Sequence, residues 1–456
     1  MRILVSAFAC GPDRGSEEGG GWNWSASLAD VGHDVTVLTT PRRRTEIDAQ
    51  LRARPERRLR VVYVEVPRWA DVVRGQLGVY ARYLAWQWAA YRLARRLVQR
   101  RGFDLVHHVS WGSLQLGTWM GRLPVPLVFG PVGGGQTAPA SLRRFYAGDW
   151  RTEALRTFVT QKLMMVDPFA RMTARRARLT LVCNRETERL ARRLGSQDVR
   201  YVSELGLPAG SVADRPPAAV EGRLRLLWVG RLLPRKGLPL ALEAVAMARR
   251  DLVIELTVIG GGPQAAQVPS WIDELGLADL VDYRGELPYA EVQAAYREHD
   301  VLLFTSLRDS TGAQVLEAMA AGLPVIALDQ SGAALLVGDD RGLLVPPGDP
   351  HRTVVGWAAA IEELARDPQL RQRLGDGAVR FARTRSWPHR AAEMTAMYEA
   401  ALTRHEPDGR RRWPRAGAVG RRAWRQLPRR AASTPSSTGT VSSRMRRSVL
   451  GESSST

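Results

Sequence analysis

The sequence predicts an α/β protein of two facing, doubly wound domains, each built on a mostly parallel sheet. Short apolar runs alternate with longer helical patterns along most of the 456 residues, which is typical of βαβ units. Twelve such runs are too many for one ordinary sheet. The alternation also restarts after a stretch rich in Gly, Pro and Ala, residues 203–217, which we interpret as a linker.

The predicted strands form two groups of six. The first group comprises residues 3–8, 35–38, 61–66, 105–109, 126–129 and 179–182, and the second comprises 224–229, 254–259, 281–283, 301–304, 325–327 and 342–345. We expect a first domain over residues 1–205, a second over 206–385, a C-terminal helix over 386–405 that returns to the first domain, and a tail over 406–456. Ligands of such domains bind at the carboxyl ends of the strands, in the interdomain cleft.

The basic charge of the chain is distributed unevenly. Of the formal net charge of +20, the tail contributes twelve arginines against three acids, and its low apolar content predicts disorder. The tail suits contact with anionic lipid or nucleic acid, or it is solvated and has no specific partner. Residues 80–100 read as a basic, aromatic helix, which suits either a membrane interface or packing of one apolar face on a sheet.

The cysteines and the apolar runs exclude several classes of protein. Cys10 and Cys183 allow neither a disulfide framework nor a zinc spacing, so we expect two small buried side chains and a reducing, cytoplasmic compartment. No apolar run reaches the ~18 residues of a membrane span. Residues 1–9 lack the charged approach of a secretory signal and are interpreted as part of the first strand.

A basic loop follows the first strand of the second domain. It carries Arg231 and Lys236 between two glycines, a spacing that suits a clamp on a diphosphate. Only Lys162 and Lys236 are lysines among 66 basic residues. In a chain that uses arginine so widely, a lysine indicates that a compact ammonium is needed.

A second loop, after the strand at 301–304, leads into a helix. It holds Asp309, and either Ser310 or Thr311 is expected to cap the helix. Gly312 and Ala313 would then present free backbone N–H groups, which suit an anion. One turn further on, Glu317 is placed to accept two hydrogen bonds from a vicinal diol such as a ribose.

Four segments of the second domain together carry a family resemblance. They are residues 229–237 (VGRLLPRKG), 258–263 (VIGGGP), 283–287 (YRGEL) and 317–326 (EAMAAGLPVI). In this order and spacing they resemble the family 4 retaining glycosyltransferases, which have a GT-B fold. The resemblance covers about residues 1–404 and implies a GT-B enzyme that uses a nucleotide-sugar.

The resemblance implies roles for matching residues. Arg231 and Lys236 would bind the nucleotide diphosphate, Glu317 the ribose hydroxyls, and the backbone at Arg284 and Gly285 would line the base pocket. The family has two glutamates separated by seven residues, and the first contacts the donor sugar.

Here Asp309 replaces that first glutamate, and its carboxylate reaches about one methylene less toward the donor sugar. A strand of the family's first domain delivers a histidine to the cleft. His107 and His108 both match, and because neighbouring strand residues face opposite sides, only one can do so. We favour His108, and we predict a catalytic set of Asp309, His108, Arg231 and Lys236.

Glycines are expected to form the first-domain wall of the cleft. The residues assigned to an acceptor or phosphate loop are Gly15, Gly19, Gly20, Gly133 and Gly134. We expect Ser16 to cap a first helix that starts at Glu17, with the glutamate side chains turned away from the cleft. The alternative is a glycine-weakened helix start that matters only for packing.

The resemblance implies transfer of a hexosyl group from a UDP- or GDP-sugar to an acceptor hydroxyl, with retention and without metal or cofactor. The first choice of process is exopolysaccharide or cell-surface glycan assembly at the inner face of the membrane. The alternative is a soluble specialised metabolite or aminocyclitol acceptor.

Two other classes of protein are disfavoured. A nicotinamide oxidoreductase needs a G-x-G-x-x-G spacing that neither residues 19–24 nor 260–265 provide. A nucleic-acid-binding protein would explain the charge, but no recognised module is present and no specific nucleic acid is expected.

Overall fold

A computed structural model describes residues 1–13, 15–66, 75–148, 150–214, 223–249 and 252–403. The predictions for the tail, residues 406–456, lie outside the described residues.

The first sheet has seven parallel strands in the order β3-β2-β1-β4-β5-β6-β7. Their bounds are β1 Arg2–Ala7, β2 Asp34–Thr39, β3 Leu59–Tyr63, β4 Leu105–Ser110, β5 Leu127–Val132, β6 Ala177–Val182 and β7 Val199–Tyr201. Strands β1 and β4 are adjacent although β2 and β3 lie between them in sequence, with Leu4 opposite Val106. The strand order therefore reverses between β1 and β4, which creates a crevice at their carboxyl ends.

The second sheet has six parallel strands in the order β10-β9-β8-β11-β12-β13. Their bounds are β8 Leu224–Val229, β9 Ile254–Ile259, β10 Val281–Gly285, β11 Val301–Phe304, β12 Val325–Leu328 and β13 Gly342–Val345. Here β8 and β11 are adjacent and form the equivalent switch point. The predicted fold class, two Rossmann-like parallel-sheet domains, is confirmed.

Helices connect the strands and cover both faces of each sheet. They are α1 Ser16–Asp30, α2 Arg44–Ala53, α3 Gly75–Arg101, α4 Trp150–Gln161, α5 Pro168–Arg176, α6 Arg185–Leu194, α7 Leu238–Ala248, α8 Val268–Glu274, α9 Tyr289–Glu298, α10 Ala313–Ala320, α11 Ser331–Val337, α12 Pro350–Arg366, α13 Pro368–Arg383 and α14 Trp387–Thr403. Among the residues described, no helix is both long and apolar enough to cross a membrane.

The predicted strands match the observed ones within a few residues, apart from β7. This strand has only three residues, of which Arg200 and Tyr201 are exposed, so it lacks the apolar signal that marks the others. Both cysteines are buried and free, as the sequence predicts.

The last helix, α14, belongs to the core of the first domain. Its Tyr398 and Met394 are buried with Trp24 of α1, and Trp387 packs edge-on against the Trp24 ring with 5.3 Å between centroids. The chain therefore crosses between the domains twice. The crossings run side by side, since Leu207 pairs with Ser386 in an isolated parallel bridge.

A short segment from the first half of the chain packs on the second domain. Leu142, Phe145 and Tyr146 lie in one apolar cluster with Leu240 of α7 and Trp357 of α12. The core of the second domain is thus completed by residues that precede it by about a hundred positions, and the segment ties the two halves of the chain together.

Candidate active site

Each switch point places two loops side by side. In the first domain these are the loops after β1 and β4, and in the second domain they are the loops after β8 and β11. Most of the residues singled out in the sequence lie on these loops or at the start of the helices that follow.

Lys236 and Asp309 meet at the centre of the second-domain half. Lys236 ends a 3₁₀ turn after β8, is 7% exposed, and donates a hydrogen bond of 2.5 Å to Asp309 Oδ2. Burial lowers the pKa of the Lys236 ammonium, and the attraction of Asp309 opposes this. Burial would raise the pKa of Asp309, but the charges of Lys236 and Arg235 outweigh it, so this pKa lies below its usual value. The two groups are therefore a buried ion pair.

Arg235 is a member of this centre that the sequence analysis missed. Its guanidinium lies 3.3 Å from Asp309 Oδ2 and donates to the carbonyl of Arg308 at 3.2 Å. Arg231, by contrast, is exposed, and Arg284 is exposed and donates to Asp282 at 2.7 Å. Within the described part of the chain, no hydrogen bond or ion pair joins Arg231 or Arg284 to Lys236 and Asp309.

The start of α10 differs from the prediction. Neither Ser310 nor Thr311 caps it; Gly312 is the N-cap, with φ of 91° and no side-chain cap hydrogen bond. A Cβ at Gly312 would lie 2.6 Å from the ring of Phe304, so both the backbone angle and the space require glycine. Ala313 is the first helical residue and is exposed, whereas Gly312 is buried.

Glu317 lies one turn inside α10 and accepts a hydrogen bond of 3.1 Å from the buried hydroxyl of Tyr296. Burial raises the pKa of the Glu317 carboxyl, and the Tyr296 hydroxyl opposes this. Gly285, at the end of β10, has φ of 67°, and its carbonyl accepts from the N–H of Gly260 at 2.7 Å. Space is open where a Gly285 side chain would stand.

The prediction that His108 faces the cleft is wrong. Its imidazole is fully buried, 3.2 Å from the hydroxyl of Tyr83 on α3 and 3.1 Å from that of Ser6. His107 is also fully buried; its Nε2 donates to the carbonyl of Gly130 at 2.6 Å, so its Nδ1 accepts from Tyr398. Strand alternation does send the two rings to opposite faces, but helices cover both faces.

The start of α1 differs from the prediction in two ways. The helix begins at Ser16, with Gly15 as its N-cap. The side chain of Glu17 does not turn away, because its Oε1 accepts from the backbone N–H of Gly112, after β4, at 3.3 Å. Burial raises the pKa of this carboxyl to about 7, and the nearby Glu204 adds to the rise. Glu17 is therefore a titratable group at the switch point of the first domain.

Gly20 and Gly21 have different surroundings. A Cβ at Gly20 would meet nothing within 4 Å, whereas one at Gly21 would lie 2.1 Å from the carbonyl oxygen of Ala9. Gly15 also borders open space, while Gly19 is buried. Only part of the glycine run thus lines a space that a ligand could enter.

Gly20→Val and Gly21→Val form a matched pair for this distinction. We expect Gly21→Val to lose about 1–3 kcal/mol of stability through overpacking and Gly20→Val to unfold near the wild-type temperature. Gly20→Val should nevertheless lower the rate of the sugar transfer that the family resemblance implies, because valine fills the open space beside the helix start. Thermal unfolding and a transfer assay on both variants test this, and unchanged transfer by Gly20→Val would assign the glycine run to packing alone.

Gly133 and Gly134 lie at the boundary between the domains. A Cβ at Gly133 would lie 3.1 Å from Cβ of Ser310, across the boundary. Gly134 has φ of 109°, and its N–H donates to Gln136 Oε1 at 2.8 Å. These glycines allow a close approach of the loop after β11 to the first domain.

A cavity of about 590 Å³ lies beside the start of α1. Its polar lining includes three arginines and two glutamates, namely Arg42, Arg43, Arg82, Glu18 and Glu65. Glu18 pairs with Arg43 at 3.1 Å and with Arg42 at 3.6 Å. The cavity is thus polar and carries an excess of positive charge. In the described residues, no group of three or more His, Cys, Asp and Glu side chains could hold a metal ion.

Comparisons with known proteins agree with this architecture. Residues 22–204 match the family described as glycosyl transferase 4-like domain, and residues 213–380 match glycosyl transferases group 1. The D-inositol 3-phosphate glycosyltransferase of Corynebacterium glutamicum (strain R) is 28% identical over 433 residues, 90% of this chain and 99% of that protein. The protein of the same name from Corynebacterium efficiens is 30% identical over 397 residues, 82% of this chain and 91% of that protein.

A solved structure, Anabaena Alr3699/HepE in complex with UDP, superposes with a TM-score of 0.58 at 17% identity and covers 88% of this chain and 100% of that chain. The chain has two facing parallel-sheet domains and passes between them twice. It therefore has the GT-B fold. Within that class, the chain belongs to the group 1 glycosyltransferases with a 4-like first domain.

Proposed function

We propose that this glycosyltransferase moves a hexosyl group from a nucleotide-diphospho-sugar to an acceptor hydroxyl, with retention at the anomeric carbon. The observation that carries the proposal is the buried ammonium of Lys236 at the switch point of the second domain, 2.5 Å from Asp309. In this proposal Lys236, Arg231 and the backbone N–H groups of Gly312 and Ala313 stabilise the departing diphosphate.

Transfer breaks the bond from the anomeric carbon to the diphosphate oxygen and forms one to the acceptor oxygen, whose proton passes to the departing diphosphate. Asp309 would contact the donor sugar, and Glu317 the ribose hydroxyls, with the base near Arg284 and Gly285. Tyr296 orients the Glu317 carboxylate through its hydrogen bond of 3.1 Å. UDP is the first choice of nucleotide, because the HepE structure contains UDP, and GDP is the alternative. The proposal includes neither a metal ion nor another cofactor.

We propose a small phosphorylated polyol as the acceptor. Two lines of support exist: the relatives are named for D-inositol 3-phosphate, and the cavity beside α1 is lined by three arginines against two glutamates. This favours the small-molecule alternative over exopolysaccharide or cell-surface glycan assembly, which remains the competing prediction. The cavity is on the first-domain side, where the glycine segment at Gly15 and Gly20 would admit the reacting hydroxyl.

The experiment is a donor screen, by nucleotide release from UDP- and GDP-hexoses, followed by acceptor tests with the best donor. We expect inositol 3-phosphate to be glycosylated and unphosphorylated inositol to be a much poorer acceptor. Transfer to oligosaccharide or lipid-linked glycans alone would favour the competing process. Anomeric proton couplings of the product report whether the configuration is retained.

Glu317→Gln tests the donor half of the same proposal. An amide cannot accept two hydrogen bonds from a ribose diol through charged oxygens, so we expect affinity for the nucleoside diphosphate to fall about tenfold or more. Isothermal titration with UDP and GDP measures this. Glu291→Gln, an exposed glutamate on α9, is the control. Equal affinity of Glu317→Gln and wild type would remove Glu317 from the site.

Peripheral contact with an anionic membrane on the cytoplasmic side remains a proposal. It is supported by α3, which carries six arginines and no acidic residue and exposes Leu84 and Trp88.

A further inference from the structure

The loop that carries Asp309 is attached to the first half of the chain on both sides of that residue. On one side, the guanidinium of Arg308 lies 2.8 Å from the carboxylate of Glu153 on α4, which is 1% exposed. On the other side, the hydroxyl of Ser310 donates to Glu204 at 2.9 Å. Asp309 itself points the opposite way, toward Lys236. The loop is therefore pinned at 308 and 310, with its carboxylate directed at the donor side.

Ser310 is the more closely held of the two anchors. Besides its hydroxyl bond to Glu204, its carbonyl accepts from Asn184 Nδ2 at 3.2 Å. Asn184 is fully buried and is fixed in turn, since its Oδ1 accepts from the N–H of Thr187 at 2.8 Å. Gly133 leaves room for the Ser310 side chain, because a Cβ at Gly133 would lie 3.1 Å from the Cβ of Ser310. Three segments of the first domain thus converge on one residue of the second.

Glu204 has an unusual position for a carboxylate. It lies where the chain leaves the first domain, just before the crossing at Leu207, and it receives hydrogen bonds from the Cys183 thiol and the Ser310 hydroxyl. No basic side chain pairs with it in the described part of the molecule. Burial raises the pKa of the Glu204 carboxyl, and the Cys183 and Ser310 hydrogen bonds oppose this. A buried carboxylate without a cation lowers the stability of the fold. We therefore expect Glu204 to position its hydrogen-bond partners rather than to stabilise the protein.

We propose that Glu204 is a positioning residue for sugar transfer: its hydrogen bond to Ser310 holds the loop that presents Asp309 beside Lys236. This inference rests on the proposed function, in which Asp309 contacts the donor sugar. Glu204 lies where the chain passes from the first domain to the second. The position of the Asp309 carboxylate therefore depends on how the two domains come together. Small displacements of such a group lower rates strongly, by on the order of 10²-fold for 1 Å.

The test uses the full chain with Glu204→Ala, Glu204→Gln and Ser310→Ala. We expect Glu204→Ala and Ser310→Ala to lower kcat for transfer by about 10- to 100-fold, while UDP or GDP alone binds within about twofold of wild type. Glu204→Gln keeps an oxygen that accepts from Ser310, so it should recover most of the rate. The double Ala variant should be no slower than either single one, since both remove the same contact.

The control is Glu186→Ala, which removes a different interdomain hydrogen bond, from the N–H of Ser331 to Glu186 at 3.2 Å. It should transfer sugar at a rate near that of wild type. The inference is overturned if Glu204→Ala also transfers at that rate, if nucleotide affinity falls in parallel with kcat, or if Glu204→Gln is as slow as Glu204→Ala. Full activity of Lys236→Ala would instead overturn the proposed function, whatever the Glu204 variants do.

Discussion

Replacement of Lys236 by alanine is expected to lower the rate of sugar transfer by about 10²- to 10³-fold, or 3–4 kcal/mol in the activation free energy. Lys236 is 7% exposed, and its ammonium lies 5.4 Å from the centroid of the Phe304 ring, against which Gly312 also packs. In the proposed function the leaving diphosphate develops its charge here. In such a site a preorganised donor acts in a low dielectric and is not replaced by water. A buried alanine leaves that charge without its closest cation.

The fold should survive this substitution, because Asp309 retains Arg235 at 3.3 Å. Transfer kinetics with a saturating acceptor measure the effect, and circular dichroism with thermal unfolding checks the fold. Lys162→Ala is the matched control, since Lys162 is the other lysine of the chain and is exposed on the first-domain side. Lys236→Arg should restore little activity, because a guanidinium does not fit the volume of a buried ammonium. A Lys236→Ala enzyme within threefold of wild type would contradict the proposed role.

The sequence predicted the sheets well because their signal is local. Each strand is an apolar run with its own turn residues, and repetition of the pattern reveals two domains. The sequence singled out Lys236 because its residue type is rare in this chain: it is one of two lysines among 66 basic residues. Arg235 faces the same carboxylate, but no local feature distinguishes it from the other arginines.

Other site residues depend on long-range contacts that a single sequence does not reveal. Glu204 lies in a stretch that reads as a linker, and its role appears only when Ser310, 106 positions later, lies beside it. The cap of α10 was assigned to Ser310 or Thr311 by residue preference, yet the left-handed angle at Gly312 gives that position to glycine. The alternation of side chains along a strand correctly predicts that His107 and His108 face opposite sides of the sheet. It carries no information on which helices cover each side.

The burial of His107 and His108 leads to a second large effect, a loss of stability at acidic pH. Burial lowers the pKa of His107 to about 4 and that of His108 to about 3, with the charge of His107 adding to the shift at His108. In the unfolded chain both imidazoles titrate near the ordinary value of about 6.5. Between these values the unfolded state binds protons that the folded state does not, so the free energy of unfolding falls as pH falls below about 6.5.

The free energy of unfolding changes by about 1.4 kcal/mol per pH unit for each proton that the chain takes up on unfolding. Glu17 acts in the opposite direction, since its folded pKa is raised to about 7 and the folded state therefore holds its proton more firmly. The absolute pH profile combines these groups, but a comparison with a single-site variant isolates one histidine. His108→Gln keeps hydrogen-bonding atoms near Tyr83 and Ser6 and removes the titration.

We therefore expect the stability difference between wild type and His108→Gln to shift by about 2.3 kcal/mol in favour of the variant when the pH is lowered from about 6.5 to 4.5. Even if the variant is less stable at neutral pH, this change with pH should remain. Urea unfolding at both pH values, followed by tryptophan fluorescence, measures it. The control is His351→Gln, at an exposed position on α12. A difference that does not vary with pH would show that the His108 imidazole accepts a proton in the folded state as readily as in the unfolded chain. That outcome would place the ring in contact with water and return it to the cleft as a candidate for catalysis.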